Sequence, residues 1–383
     1  MSPTRPKNIG SCALKETIGK GGMAEVILGE QEQLDRKVAV KALLPELKND
    51  KNANARFHRE AEALALLQHE NIVAVHDLVE KYNRLYMIME YVDGVDLFTI
   101  SREGPVPIDI GLIIGVKLAS ALEHAHFRKV LHRDIKPANV MLSRTGQVKL
   151  TDFGIAKDQT KDDLTRKGLV VGTLAYLSPE QVSGQRADWR SDIYSLGVLL
   201  FETLSGTRLF TGKEQGLLVA SIVKGEHEKL RQRAPRIPRS VEKIVHRCLE
   251  ADPAKRYQRA ADVRRSLERL LNAVLEGTPS ARIVAFLKER GQIDEQAMTV
   301  IAGHEVAATR IVAGASEVLD QSKLGEPPIK KSFARKLLKF VLIMLITFCV
   351  VAGGLAATYA LAPDWSRQIA EKVVGLMKAE PAE

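Results

Sequence analysis

The spacing of apolar residues changes once along this chain, from the alternation of strands to the period of helices, and this change limits the folds open to it. Between residues 12 and 91, short alternating segments predict strands around one amphipathic helix. Between residues 96 and 271, helical periodicity dominates. The clearest predicted elements are strands at 38–42 and 85–90 and helices at 53–68, 110–128, 191–204 and 241–249. We therefore predict an α+β fold with a small β-rich lobe followed by a larger helical lobe.

Composition excludes several other classes of protein. With 45% hydrophobic and 27% charged residues, the 383-residue chain can form a core, so a wholly disordered or collagen-like protein is excluded. Cys12, Cys248 and Cys349 are few and far apart, which argues against a disulfide framework or a zinc cluster and suits a reducing cytosol. The first ten residues lack an apolar stretch, so a cleaved secretory signal is not expected.

Residues 340–362 contain no charged side chain. As a helix they would be about 34 Å long, which exceeds the roughly 30 Å hydrocarbon core of a membrane. The alternative is a buried core helix, although such helices rarely stay apolar on every face over six turns. Five cations precede the segment: Lys330, Lys331, Arg335, Lys336 and Lys339.

These cations account for more than half of the net charge of +9. Their position favours a topology anchor at anionic headgroups over a nucleic-acid site, and it places the N-terminal part in the cytosol. We expect a single-pass protein of the cytoplasmic (inner) membrane, with a short tail at 363–383 outside. Small residues within the span would permit a homodimer.

A glycine cluster lies between two predicted strands, in Gly19-Lys20-Gly21-Gly22-Met23-Ala24-Glu25-Val26. Glycines let a backbone approach a polyphosphate, but such clusters also mark plain turns, and Ala24 replaces the third glycine of G-x-G-x-x-G. Lys41 ends an apolar strand and needs an anionic partner, either a phosphate or a carboxylate such as Glu60 on the predicted helix. Taken alone, Glu60 could equally be a surface residue of that helix.

The stretch His132-Arg133-Asp134-Ile135-Lys136-Pro137-Ala138-Asn139, followed by Asp152-Phe153-Gly154, predicts chemistry most strongly. Asp134 can accept a hydroxyl proton, and Lys136 can neutralise a transferring phosphoryl group. Asn139 and Asp152 offer oxygen ligands for Mg²⁺. Arg133 is suited to bind a phosphate elsewhere in the chain.

Together these motifs resemble the bacterial branch of the Hanks-type serine/threonine protein kinases. The resemblance implies the bilobal protein-kinase fold, to which this sequence adds one transmembrane helix, and it implies protein substrates, ATP and Mg²⁺, with Mn²⁺ as an alternative ion. Lys41 would hold the α- and β-phosphates and pair with Glu60, and Met89 would be the gatekeeper before the hinge. The nucleotide would contact Ile18, Gly19, Lys20, Gly21, Gly22, Met23, Ala24, Glu25, Val26, Ala39, Lys41, Glu60, Met89, Glu90, Val92 and Met141.

The resemblance also assigns residues beyond the nucleotide. Thr173 would lie in the loop that receives the substrate residue, Glu180 would pair with Arg256, and Asp192 would brace the catalytic loop. Thr165 is our choice for the activating phosphosite, since its phosphate could pair with Arg133, and Thr160 is its competitor.

Three classes of function remain open at this point. The leading hypothesis is a membrane-tethered protein kinase that autophosphorylates, the second is a catalytically weak kinase-fold scaffold, and the third is a kinase of a small molecule. The expected segments are a leader at 1–10, a kinase domain at 11–272 (lobes 11–92 and 93–272), a partly helical linker at 273–339 that is basic at its end, the span at 340–362 and the tail at 363–383.

Overall fold

The computed structural model describes residues 6–154, 174–211 and 214–293. The chain divides into two units, Met1–Ala307 and Ala308–Glu383, and all described residues lie in the first. The described strands are β1 (Asn8–Ile9), β2 (Cys12–Lys20), β3 (Ala24–Gln31), β4 (Arg36–Leu43), β5 (Val75–Lys81), β6 (Arg84–Glu90), β7 (Gly94–Asp96), β8 (Val140–Ser143) and β9 (Val148–Leu150).

Numbered within the described residues, the helices are α1 (Lys51–Ala65), α2 (Leu97–Arg102), α3 (Ile108–Phe127), α4 (Pro179–Val182), α5 (Trp189–Ser205), α6 (Gln215–Lys224), α7 (Leu230–Arg233), α8 (Arg239–Cys248), α9 (Ala260–Leu271) and α10 (Pro279–Glu289). Short 3₁₀ turns occupy Glu32–Leu34, Pro45–Leu47 and Pro137–Asn139. The predicted division into a β-rich part and a helical part is therefore observed.

A six-stranded antiparallel sheet forms the N-terminal part, in the order β1-β2-β3-β4-β6-β5. Strand β4 carries Lys41, which pairs with Val26 on β3 and with Met87 on β6. Because side chains alternate along a strand, Val40 and Ala42 lie in an apolar cluster on one face of the sheet, while Lys41 lies on the opposite face. The sheet thus directs the lysine into the space beside the helical part.

Helix α1 begins two residues before the prediction and ends three residues earlier. The Asp50 side chain caps it by accepting hydrogen bonds from the N–H groups of Asn52 (2.8 Å) and Ala53 (3.1 Å). Its buried face carries Phe57, Glu60 and Leu64 among other residues. Because Glu60 lies on that face, one turn from Phe57 and Leu64, the helix turns a carboxylate inward.

The helical part is built around α3 and α5, which are buried on nearly every face. Asp188 caps the N-terminus of α5, and Gly206 ends the helix in the left-handed conformation at φ +68°. A small antiparallel sheet has the order β7-β8-β9, and its last strand ends two residues before Asp152. One core cluster joins α1, α3, α5 and this small sheet.

Two observations concern segments predicted to lie outside the kinase domain. Asn8–Ile9 pairs with β2 and Ile9 is fully buried, although a two-residue strand is too short to show alternation in sequence. Helix α10, expected from its Thr278 cap and Gly291 stop, has both features, with Thr278 Oγ1 accepting from the Ala281 N–H at 3.2 Å and Gly291 at φ +65°. Its side chains Ile283, Val284, Phe286 and Leu287 are buried in the core.

Within the described ranges, no helix is long and apolar enough to cross a membrane. The predicted span at 340–362, the tail after it and most of the linker before it lie outside those ranges.

Candidate active site

A cleft between the large sheet and the helical part contains a cavity of about 720 Å³. Residues predicted to contact the nucleotide line it: Ile18, Val26, Ala39, Met89, Glu90, Val92 and Met141. Leu64, Val73, Phe98 and Thr151 line it as well, although the sequence analysis did not identify them. Aliphatic side chains on its walls and residues 90–92 along one side suit a flat heteroaromatic group.

The glycine cluster closes one end of this cleft over a second cavity of about 520 Å³. The Gly21 N–H donates to the Ala24 carbonyl at 2.8 Å, which forms a tight turn. A side chain at Gly22 would have no neighbour within 4 Å, so its backbone faces open space. Ala24 is buried and pairs with Leu43, so alanine at the third glycine position does not prevent the turn from closing.

The second cavity brings together most of the predicted phosphate-binding and catalytic residues. Its lining includes Gly19, Lys20, Gly21, Gly22, Met23, Ala24, Lys41, Glu60, Asp134, Lys136, Asn139 and Asp152. Glu25 lines neither of these two cavities, because alternation along β3 turns Val26 to the cleft and Glu25 to the opposite face. The Glu25 carboxylate instead accepts a hydrogen bond from Arg84 Nη2 at 2.7 Å.

Lys41 lies between two carboxylates. Its Nζ is 2.6 Å from Glu60 Oε1 and 2.7 Å from Asp152 Oδ1. Burial would lower the pKa of Lys41, but the charges of Asp152 and Glu60 outweigh it and raise that pKa, so the side chain stays an ammonium ion. The predicted lysine–glutamate pair is therefore present, and Asp152 shares it.

The two carboxylates respond differently to the same ammonium. Burial raises the pKa of Glu60, and Lys41 offsets only part of this rise. Burial also acts on Asp152, but there Lys41 outweighs it and lowers the pKa of the carboxyl. The Lys41 ammonium therefore favours the ionised form of Asp152, whose side chain is 45% exposed and accessible to a cation.

Asp134, Lys136 and Asn139 form a compact cluster on the loop before β8. Lys136 Nζ donates to Asp134 Oδ2 at 2.8 Å. Asn139 Nδ2 donates to the Asp134 carbonyl at 2.8 Å and lies 3.2 Å from Asp134 Oδ2. These bonds fix the orientation of the carboxylate, and they leave the amide oxygen of Asn139 as the acceptor of that side chain.

The backbone around this loop is held in unusual conformations. Arg133 has φ +63° and Asp152 has φ +52°, and both values lie in the left-handed region. The buried Asp192 accepts hydrogen bonds from the N–H groups of His132 (2.9 Å) and Arg133 (2.8 Å), so the predicted bracing contact is present. Burial would raise the pKa of Asp192, but the hydrogen bonds from His126 and from the Arg133 N–H outweigh burial and lower that pKa.

His132 has a structural role in this arrangement. Its Nε2 lies 3.0 Å from the Thr151 carbonyl and its Nδ1 accepts from the Asp134 N–H at 3.2 Å, so the ring must be neutral with its proton on Nε2. Burial lowers the pKa of the ring accordingly. His132 also packs on Phe153, with ring centroids 4.4 Å apart.

The donor set fits a divalent cation. Asp134, Asp152 and Glu60 carry three negative charges, against two positive charges on Lys41 and Lys136. Within the described ranges, no group of three or more His, Cys, Asp or Glu side chains could hold a metal by itself. Asp152 and Asn139 would thus supply two oxygens to Mg²⁺, and phosphate and water the others, as is usual for this ion.

Of the remaining predicted residues, the structure describes Glu180 and Arg256 but not the three threonines. Arg256 Nη2 contacts Glu180 Oε2 at 2.7 Å, so that predicted pair is present. Thr160, Thr165 and Thr173 lie outside the described residues.

Two contacts of the site were not anticipated from the sequence. His126 Nε2 lies 2.8 Å from Asp192 Oδ2 and completes the bracing of the catalytic loop. Lys149 Nζ contacts the hinge residue Glu90 at 2.6 Å. Lys149 lies in the apolar strand β9 and, like Lys41, needs an anionic partner there. The sequence could therefore have suggested that Lys149 forms an ion pair.

Comparison with known proteins agrees with this geometry. The family model described as "Protein kinase domain" matches residues 12–283. PrkC, a serine/threonine-protein kinase of Bacillus subtilis, is 34% identical over 97% of this chain and 57% of its own length. PknB, a serine/threonine-protein kinase of Mycobacterium tuberculosis, is 44% identical over 52% of this chain and 33% of its own length. The chain therefore spans less than two thirds of these relatives.

Solved structures show the same likeness. The crystal structure of the Mycobacterium tuberculosis PknI kinase domain matches with a TM-score of 0.54 and 27% identity, covering 68% of this chain and 96% of that domain. A second PknI kinase-domain structure matches with a TM-score of 0.56 and 28% identity, covering 70% of this chain and 98% of that one.

Proposed function

This chain belongs to the protein kinase family, and from that premise we propose that it is a serine/threonine protein kinase that transfers the γ-phosphoryl group of MgATP to protein hydroxyls. One observation carries the proposal. Lys41 is ion-paired with Glu60 and Asp152 above the cavity onto which Asp134, Lys136 and Asn139 converge. A fold that served only to bind partners would have no need of this complete set.

Each residue has a distinct task in this proposal. Lys41, held in place by Glu60, binds the phosphates nearer the nucleoside. Asp134 orients the substrate hydroxyl and accepts its proton, and Lys136, 2.8 Å from that carboxylate, neutralises the charge of the phosphoryl group in transfer. Bound Mg²⁺, held by Asn139 and Asp152, would supply further neutralisation of the phosphates.

The test measures transfer of labelled phosphate from ATP to a generic basic protein and to the chain itself. We expect incorporation into both, with Asp134→Asn at least about a hundredfold slower and ADP binding retained, because loss of the base removes orientation and proton transfer but not nucleotide contacts. A scaffold would bind ADP without transferring phosphate, and a small-molecule kinase would leave both proteins unlabelled. Near-normal activity of Asp134→Asn would contradict the role of that residue.

We further propose that the kinase is tethered to the cytoplasmic membrane by residues 340–362, with its catalytic part in the cytosol and the option of a homodimer through the span. Support comes from the uncharged length of the segment and from the five cations before it. Protease added to sealed, right-side-out spheroplasts should remove only the tail at 363–383. Digestion of the kinase domain under these conditions would show the opposite orientation.

Autophosphorylation of Thr165 is the proposed switch. Arg133, next to the base Asp134, would pair with the phosphate and order the segment between residues 154 and 178 for substrate docking. Mass spectrometry of the active wild-type protein should find phosphate on Thr165, and Thr165→Ala should be slower. Active enzyme that lacks this phosphate, or an alanine variant at full rate, would contradict the proposal.

A further inference from the structure

An ion pair behind the glycine cluster is not part of the catalytic set described above. We propose that Arg84 is a positioning residue for the nucleotide, because it fixes, through Glu25, the strand end from which the glycine cluster emerges. This inference rests on the proposed function and adds a specific residue to it.

The Arg84 side chain connects three neighbouring strands. Arg84 is the first residue of β6, and the sheet order places β4 and then β3 beside it. Its Nε donates to the Leu43 carbonyl at the end of β4, and its Nη2 donates to Glu25 Oε1 on β3 at 2.7 Å. The guanidinium also lies 5.3 Å from the centroid of the Tyr86 ring. One side chain thus ties together the ends of β3 and β4.

These strand ends are the base of the glycine cluster. Leu44 donates its N–H to the Met23 carbonyl at 2.9 Å, and Glu25 pairs with Lys20 across the turn. The next residue, Val26, lines the nucleotide cavity from the other face of the strand. A shift of Glu25 would therefore move both the wall of the cavity and the turn that covers the phosphates.

Burial makes this pair sensitive to loss of either partner. The Arg84 and Glu25 side chains are 10% and 19% exposed. Removal of one partner leaves a charge enclosed without its counterion, whereas apolar replacement of both partners removes the problem. A positioning pair should therefore show single variants that are worse than the double variant.

The same two strands offer a matched control at their opposite end. Arg36 Nε donates to Gln31 Oε1 at 2.6 Å, across the Gln31–Arg36 pair of β3 and β4. This contact joins the same strands but lies far from the glycine cluster. Arg36→Met therefore tests whether any loss of an arginine in this hairpin has the same effect.

The experiment compares Arg84→Met, Glu25→Met, the double variant and Arg36→Met in the full chain. It measures KM for ATP, kcat, ADP affinity and the thermal midpoint of unfolding. We expect each single variant at the Arg84–Glu25 pair to raise KM for ATP and weaken ADP binding about tenfold, within the range of coupled buried pairs, with a smaller change in kcat. The double variant should recover most of this loss, and Arg36→Met should match the wild type.

A lower thermal midpoint with unchanged KM and ADP affinity would show a merely structural role and overturn the inference. Additive effects of the two single variants would overturn it too. If Arg84→Met does not fold, Arg84→Lys replaces it, since lysine keeps the charge but lacks the planar fork, and wild-type KM for that variant would be equally contrary. ADP affinity keeps the two proposals separate, because it can respond to these variants even if no phosphate transfer is found.

Discussion

Replacement of Arg256 by methionine tests the buried ion pair that anchors α4 to the helical part. The Arg256 side chain is fully buried, and Nη1 and Nη2 contact the two oxygens of Glu180 at 2.8 and 2.7 Å. The guanidinium also donates to the carbonyls of Glu250 (2.7 Å), Arg190 (3.0 Å) and Ala251 (3.0 Å). Methionine fills similar space but provides none of these donors.

The magnitude follows from what is left behind. The Glu180 carboxylate would keep hydrogen bonds from the Ser191 hydroxyl at 2.6 Å and from its own N–H, but it would have lost its counterion in a site where its side chain is 7% exposed. Breaking a buried pair by removing one partner costs about 3–5 kcal/mol, so we expect the free energy of unfolding to fall by about 4 kcal/mol. Since a domain of this kind has about 5–15 kcal/mol in total, the variant should be folded only marginally. Glu180→Gln should lose less, because three carbonyls still accept from the guanidinium.

Urea unfolding at several pH values provides the assay and a check on the sign. Burial alone would raise the pKa of Glu180, but Arg256 outweighs it and lowers that pKa below 4.5. In the wild type, this contribution is present above pH 4.5 and is lost as the pH falls through the lowered pKa. In the variant, only hydrogen bonds from the Ser191 hydroxyl and the Glu180 N–H oppose burial, so the pKa of Glu180 should be higher than in the wild type and protonation should relieve the isolated charge. The deficit should therefore shrink as the pH falls from 7 to 5.

A deficit below about 1 kcal/mol at pH 7 would refute the reasoning, since it would place the pair among exposed ion pairs of little energetic value. A deficit that grows on acidification would refute it as well, because it would mean that the isolated carboxylate is not destabilising.

Three further predictions concern the catalytic loop and its neighbours. Lys41→Met should abolish labelled phosphate transfer yet keep a cooperative urea transition, since methionine replaces the contact with an unbranched apolar chain; transfer at the normal rate would contradict its role. Asp192→Asn should lower kcat at least about tenfold with ADP affinity retained, because a charged acceptor of the His132 and Arg133 N–H groups is lost; an unchanged kcat would contradict the bracing role. The ring protons of His132 should not titrate near pH 6.5 by NMR, since burial lowers its pKa, and its stabilising contribution should be lost only as the pH falls below that value; an ordinary titration would contradict the assigned tautomer.

The parts of the site that could be predicted were those encoded locally or by motif order. The loop from His132 to Asn139 places its functional groups within eight residues, so the sequence contains both their identity and their spacing. The positions of the groups in this loop can be predicted from the sequence because the geometry of a few consecutive residues determines them. The pairing of Lys41 with Glu60 came from the family resemblance, because the residues alone left a phosphate and a carboxylate equally open as the partner of Lys41.

The contacts that were missed join residues distant in sequence through the register of strands or the docking of helices. Arg84 and Glu25 are 59 residues apart, and only the order β3-β4-β6 brings them together. His126 and Asp192 are 66 residues apart on two helices that are buried nearly all round, so hydrophobic periodicity gives no sign of which face meets which. A polar residue within such a helix shows that a partner exists without showing which one.

The orientation of Asp134 depends both on its local loop and on Asp192, a residue distant in sequence. A left-handed residue beside the base costs about 1–3 kcal/mol, and Arg133 at φ +63° carries that cost. It persists because a carboxylate buried in α5, Asp192, accepts the N–H groups of two consecutive loop residues, and such charge-assisted bonds contribute about 1.5–3 kcal/mol each. The core of the helical lobe therefore holds the loop in its strained form before any substrate binds. Because folding already fixes the position of Asp134, the base needs little reorganisation when a substrate hydroxyl binds.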